Sequence, residues 1–182
     1  MIRTVSAALG IALLACGSAQ AQTIDYDCDT PAQRVSAIKR AVSGTDFSMS
    51  GTVTPREAYD SGEYGATAGI RLEAPDGSWF VNIGIVRSFD DEDRDPDEVP
   101  AFLHSKSGDI ETVSTFGNMK LGRAYRFTLT VAGGRGKAVL DGDYSWVEAR
   151  SIDFEVPSAT QAIASISCET GHFLFGEVDF GR

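Results

Sequence analysis

The chain has 182 residues, 42% hydrophobic and 23% charged, with six prolines, nineteen glycines and no low-complexity tract. That is enough apolar material for one packed domain, too little for two full ones, and it excludes a fibrous or wholly disordered chain. The formal net charge of −10 repels phosphate backbones and anionic lipid heads, so nucleic acid is excluded as a partner.

The first element is a leader. Arg3 supplies a positive n-region, an apolar stretch runs from Val5 to Cys16, and Ala19-Gln20-Ala21 forms a small-residue cleavage triplet before Gln22. Residues 1–21 therefore read as a secretory signal peptide, leaving residues 22–182 as a single exported domain, periplasmic or secreted, with 15 basic against 26 acidic side chains. The apolar stretch is too short to span a bilayer. A competing reading takes Leu13-Leu14-Ala15-Cys16 as a lipobox-like run; Leu14 fits it poorly, but lipidation at Cys16 is the one route to a membrane. Cleavage leaves Cys28 and Cys168 near the two ends of the mature chain, in a compartment where disulfides persist, and a Cys28–Cys168 bridge is expected.

Residues 30–44 predict the only helix of the mature chain. Thr30 stands as N-cap, Pro31 in the first turn and Gln33 three residues after the cap; Val35, Ile38 and Val42 follow at helical spacing, and Gly44 is the stop. Everything after it alternates with period two. Phe47, Met49, Gly51 and Val53 form one strand; Ile70, Leu72 and Ala74 form the next, ahead of a Pro75-Asp76-Gly77 turn, and Trp79 to Val86 is apolar on both faces.

Residues 90–98 hold seven acids and Arg94, with prolines at 96 and 100, and read as a solvated loop. The alternation of Asp91, Asp93, Asp95 and Asp97 also suits oxygen ligation of Ca²⁺. The EF-hand pattern is not met, because counting from Asp91 places Pro96 where glycine belongs and Phe102 where glutamate belongs. Further on, Tyr125, Phe127, Leu129 and Val131 alternate with polar residues, Gly133-Gly134 turns the chain, and Lys137 to Leu140 returns it. Tyr144 to Trp146, Ile152 to Val156, Ile163 to Cys168 and His172 to Phe180 complete nine or ten short strands. The pattern predicts an all-β, antiparallel two-sheet sandwich with one short N-terminal helix.

The run GRAYRFTLTVAGGRGKAVLDG (residues 122–142) resembles the strand, turn and hairpin of laminin G-like and concanavalin A-like jelly rolls. GHFLFGEVDFG (residues 171–181) is similar to their closing strand. The resemblance covers about a fifth of the chain and implies a jelly roll with a sheet face used for glycans or, in some members, for glycoside cleavage. Strict alternation on the last strand assigns Leu174, Gly176, Val178 and Phe180 to the core, leaving Phe173, Phe175, Glu177 and Asp179 on an open face. Two rings beside two carboxylates suit stacking on sugars and accepting hydroxyl hydrogen bonds.

The Glu-x-Asp spacing also resembles that of jelly-roll glucanases, but the positions where those enzymes keep a second glutamate are Gly181 and Arg182. A retaining mechanism needs two carboxyls about 5–5.5 Å apart, one of them protonated. A non-catalytic binding or structural module meeting extracellular carbohydrate or protein is therefore the leading reading, with a glycoside hydrolase using Glu177 and Asp179 as the alternative. Trp79, Tyr144 and Trp146 are packing aromatics. His104 and His172 are the only histidines, too few for a zinc site, and no P-loop or nucleophile elbow is present.

Overall fold

Alternating apolar positions draw the chain into extended strands, and the core records which face each one buries. The computed structural model describes residues 23–58, 65–87 and 95–181. The proposed leader, Cys16, Asp91 and Asp93 lie outside the described residues. Eleven strands are described: β1 (Ile24–Ser43), β2 (Asp46–Glu57), β3 (Thr67–Glu73), β4 (Trp79–Val86), β5 (Glu98–Ser107), β6 (Ile110–Lys120), β7 (Tyr125–Ala132), β8 (Arg135–Asp141), β9 (Tyr144–Val147), β10 (Ser151–Glu155) and β11 (Gln161–Asp179). No helix occurs among the described residues.

All eleven belong to one antiparallel sheet with the order β10-β8-β7-β2-β11-β3-β4-β5-β6-β9, and β1 pairs along β11. The first half of β11 pairs with β3 and the second half with β2, so this long strand belongs to two arms of the sheet. The arms curl toward each other around one core. Phe47 of β2 and Trp79 of β4, from different arms, bring their ring centroids to 6.4 Å. Met49, Val53, Ile70, Leu72, Ile83, Phe116, Phe127 and Leu129 are all fully buried between the arms.

The expected helix at residues 30–44 is instead the second half of β1. Val35 to Ser43 pairs residue by residue with Glu169 to Gln161. Val35, Ile38 and Val42 satisfy a helical spacing, but β-branched side chains also suit strands, and a full ladder with β11 outweighs a local helical preference. Ser36 and Ile38 are half-buried and Val42 is buried, whereas Val35, Ala37, Lys39, Arg40 and Ala41 are exposed. The residues taken for an N-cap, Thr30 to Arg34, form a bulge where the ladder slips between Thr30 and Val35. Pro31 fits there because no ladder N–H is required of it.

That bulge turns β1 from one arm to the other, and the disulfide spans the bend. Cys28 stands opposite Phe173, whereas Cys168 stands opposite Ser36; the expected bridge joins them with Cα atoms 6.2 Å apart. Thr30, 3% exposed, places its hydroxyl 2.9 Å from Cys168 Sγ. The hydroxyls of Tyr26 and Ser36 hydrogen-bond across the same bend.

At the opposite end, Tyr125 ties β6 to the β8–β9 connection. Its hydroxyl donates to the carbonyl of Asp143 at 2.5 Å and accepts the Lys120 N–H at 2.7 Å. Burial pushes this phenol, and the neighbouring Tyr144 phenol, above the ordinary tyrosine range.

Candidate functional site

The alternation that buries one side of β3 to β6 sets their other side outward as a register-aligned grid. One row crosses the strands as Ser165, Arg71, Asn82, His104 and Val113; its neighbour on one side runs Ile163, Glu73, Phe80, Lys106 and Glu111. On the other side the row is Ser167, Gly69, Gly84, Phe102 and Thr115. At the usual inter-strand spacing the five strands span roughly 19 Å.

The side chains of this grid hold each other in place. The Arg71 guanidinium lies 4.0 Å from the Phe80 ring centroid, and its Nε and Nη2 both reach Glu73 Oε2 at 2.7 Å. Phe80 meets His104 edge to face at 4.8 Å, and His104 Nε2 lies 3.3 Å from Glu111 Oε2. Lys39 and Lys106 complete the pattern, at 4.0 Å from Glu73 and 3.6 Å from Glu111. Arg71, Glu73 and His104 keep 34%, 18% and 32% of their side chains exposed. Ion pairs this exposed add little stability; their effect is to fix the orientation of donors and rings.

Gly69 and Gly84 sit side by side in the grid and make its floor. A Cβ at Gly84 would come within 2.7 Å of the Phe102 ring, and one at Gly69 within 3.0 Å of Asn82 Oδ1. The ring and the amide therefore lie down over bare backbone. At the border, Trp146 of β9, 52% exposed, stands opposite Asn118, which pairs on its other side with Pro100. The face thus offers flat rings, hydrogen-bond donors in Arg71, Asn82 and His104, and acceptors in Glu73, Glu111 and Ser167.

The face expected to be open on the last strand is not. Phe173 and Phe175 are 0% and 2% exposed, and Tyr26 stacks on Phe175 with centroids 6.1 Å apart. Leu174 and Gly176, expected in the core, are the outward residues. The cause is a bulge: the ladder to β2 slips between Gly176 and Asp179, and Glu177 adopts a left-handed φ of 52°. One extra residue there lets Val178 and Phe180 share the core with Phe173 and Phe175. Glu177 is exposed, with its N–H donating to Asp25 Oδ1 at 2.8 Å. Asp179 Oδ1 accepts the Gly181 N–H at 2.9 Å. The four proposed ligand residues are therefore split between core and rim.

Of the acidic loop, Asp95 stands just before the turn at Pro96 and Asp97, and its Oδ1 accepts the Asp97 N–H at 2.9 Å. Among the described residues no group of three or more His, Cys, Asp or Glu is placed to hold a metal ion. Trp79 and Tyr144 pack as expected, whereas Trp146 is largely exposed.

Sequence reasoning passed over β5 and β6, and with them Phe102, Lys106 and Glu111, and weighed His104 only as a zinc ligand. The signal was present: Val99, Ala101 and Leu103 alternate with Pro100, Phe102 and His104, and Gly108-Asp109 supplies a turn.

No protein-family model matches the chain, and no curated protein sequence matches it. Solved structures do resemble it in fold. A carbohydrate binding module from Bacillus subtilis, CBM66, superposes with a TM-score of 0.51 at 14% identity, covering 87% of this chain and 91% of that one. Caenorhabditis elegans galectin LEC-6 gives 0.51 at 17% identity, covering 86% of this chain and 96% of its own. The alginate lyase from Klebsiella pneumoniae gives 0.55 at 9% identity, covering 76% of this chain and 61% of the lyase. At such identities the likeness is one of fold, and function has to be argued from the side chains.

Proposed function

We propose that the chain is an exported carbohydrate-binding module with a jelly-roll sandwich fold, and that the outer face of β3 to β6 holds the sugar. The observation that carries this reading is Phe80 fixed between Arg71 and His104, with Asn82 beside them in register. Sugar rings have an apolar C–H face and a hydroxyl rim, and such a surface matches both. Folds shared with a carbohydrate binding module and a galectin support it. The Cys28–Cys168 bridge supports export.

The grid also suggests what kind of glycan. Arg71, Lys39 and Lys106 are each paired with Glu73 or Glu111, so the face offers paired charges to hydroxyls rather than free cations to a polyanion. Neutral polysaccharides are the class proposed, and their retention should change little with salt.

Affinity electrophoresis against a panel of neutral and acidic polysaccharides tests this. Retardation by a neutral member, weakened at least tenfold by Arg71→Ala and by His104→Ala and unchanged by Glu177→Gln, is the expected result. Retardation by no member of the panel overturns it. Reducing-end release from the same panel, abolished by Glu177→Gln, would instead establish the hydrolase reading.

A further inference from the structure

We infer that the chain has a second ligand site, a cleft where the far ends of β5 and β6 face β10, and that this cleft takes a single neutral sugar ring. The inward positions of β5 run Val99, Ala101 and Leu103 through the core and then change to Ser105 and Ser107. On β6 the partners of Leu103 and Ser105 are Ser114 and Thr112. β10 of the other arm comes against β5 and β6 here, and the sequence changes from apolar to hydroxyl side chains at the same point.

The cleft has about 300 Å³ of space and is bounded on the β10 side by Ile152 and Phe154. Its two sides differ chemically. Ile152 and Phe154 of β10 offer an apolar surface, and Phe154 lies flat on Gly136, where an added Cβ would come within 2.1 Å of the ring. Facing it, Ser105, Ser107, Thr112 and Ser114 of β5 and β6 line the cleft between Leu103 and Ile110. Four hydroxyls opposite an aliphatic and aromatic wall suit a small ring with one C–H face and one hydroxyl edge. Asp153 and Glu155 stand at the mouth, where they accept hydroxyl hydrogen bonds and turn away anions. The volume lies at the small end of ligand pockets, which fits one ring rather than a chain.

This site lies on the inner side of β5 and β6, opposite to the face of the proposed glycan grid, so the two are tested separately in one experiment. Backbone amide spectra of the full mature protein are recorded during titration with glucose, galactose, mannose and N-acetylglucosamine. The expected result is saturable shifts at Ser105, Ser107, Thr112, Ser114 and Asp153 with at least one sugar. These shifts should weaken at least tenfold in a Ser105→Ala, Ser114→Ala double variant and persist in His104→Ala. Serine-to-alanine changes at these half-buried positions remove no apolar packing and leave the fold intact, which the dispersion of the same spectra verifies. Shifts confined to the outer grid, or none with any of the four sugars, overturn the cleft; the outer grid stands or falls on its polysaccharide panel.

Discussion

Phe175→Ala separates a ring that builds the core from one that waits for a ligand. Phe175 is 2% exposed, stacks on Tyr26 and pairs with Val53 in the ladder. Removing a buried phenyl ring costs about 3–5 kcal/mol, since the lost transfer free energy adds to the cavity left behind. At roughly 2–4 °C per kcal/mol for a domain of this size, the melting temperature should fall by about 6–20 °C. Urea unfolding followed by near-ultraviolet circular dichroism reads the loss directly, with the slope against urea unchanged. Against a total stability of about 5–15 kcal/mol, the variant should still fold at low temperature. A loss below about 1 kcal/mol, with glycan retention abolished in a fully folded variant, would refute the burial argument and restore the open face first read from the alternation.

Four further outcomes follow from the same geometry. The Cys28–Cys168 bridge closes a separation of 140 residues, so the chain-entropy relation gives up to about 5 kcal/mol of stabilisation; reduction, or Cys28→Ala with Cys168→Ala, should lower the urea midpoint accordingly, and an unchanged midpoint would contradict the role assigned to the bend. Tyr125→Phe leaves the Lys120 N–H without its acceptor, at a cost of about 1–3 kcal/mol in thermal or urea unfolding. The phenols of Tyr125 and Tyr144 are raised by burial, so the folded state holds their protons more tightly than the unfolded state; the stability they contribute is complete below about pH 10 and declines as pH rises beyond it. An alkaline melting series should show that decline, and Tyr144→Phe should reduce it. Gly84→Ala drives a methyl group into the Phe102 ring, so polysaccharide retention should fall while the protein stays folded.

Much of the architecture was legible in local pattern. Tyr125 to Val131, the Gly133-Gly134 turn and the return through Leu140 pair as the alternation implies, and the Pro75-Asp76-Gly77 turn joins β3 to β4. What failed depended on partners distant in sequence. The residues from 35 to 43 carry spacings compatible with helix and strand alike, and only the ladder to β11, more than a hundred residues away, decides between them. Likewise a single left-handed residue, Glu177, put Phe173 to Gly176 on the faces opposite to those expected while leaving Val178 and Phe180 in the core as expected; glutamate carries no turn signal, so strict period two had nothing to correct it. The outward grid of β3 to β6 was hidden for a related reason. Its rows are built across strands, and Arg71, Asn82 and His104 become neighbours only through register.

The central claim is that a glycan lies on the outer face of β3 to β6. Amide spectra of residues 22–182 titrated with an oligosaccharide from the retained polysaccharide test it most directly. The account predicts saturable shifts concentrated at Arg71, Asn82, Phe102, His104 and Val113. Shifts centred on His172, Leu174 and Glu177, with the β3 to β6 grid silent, would contradict it.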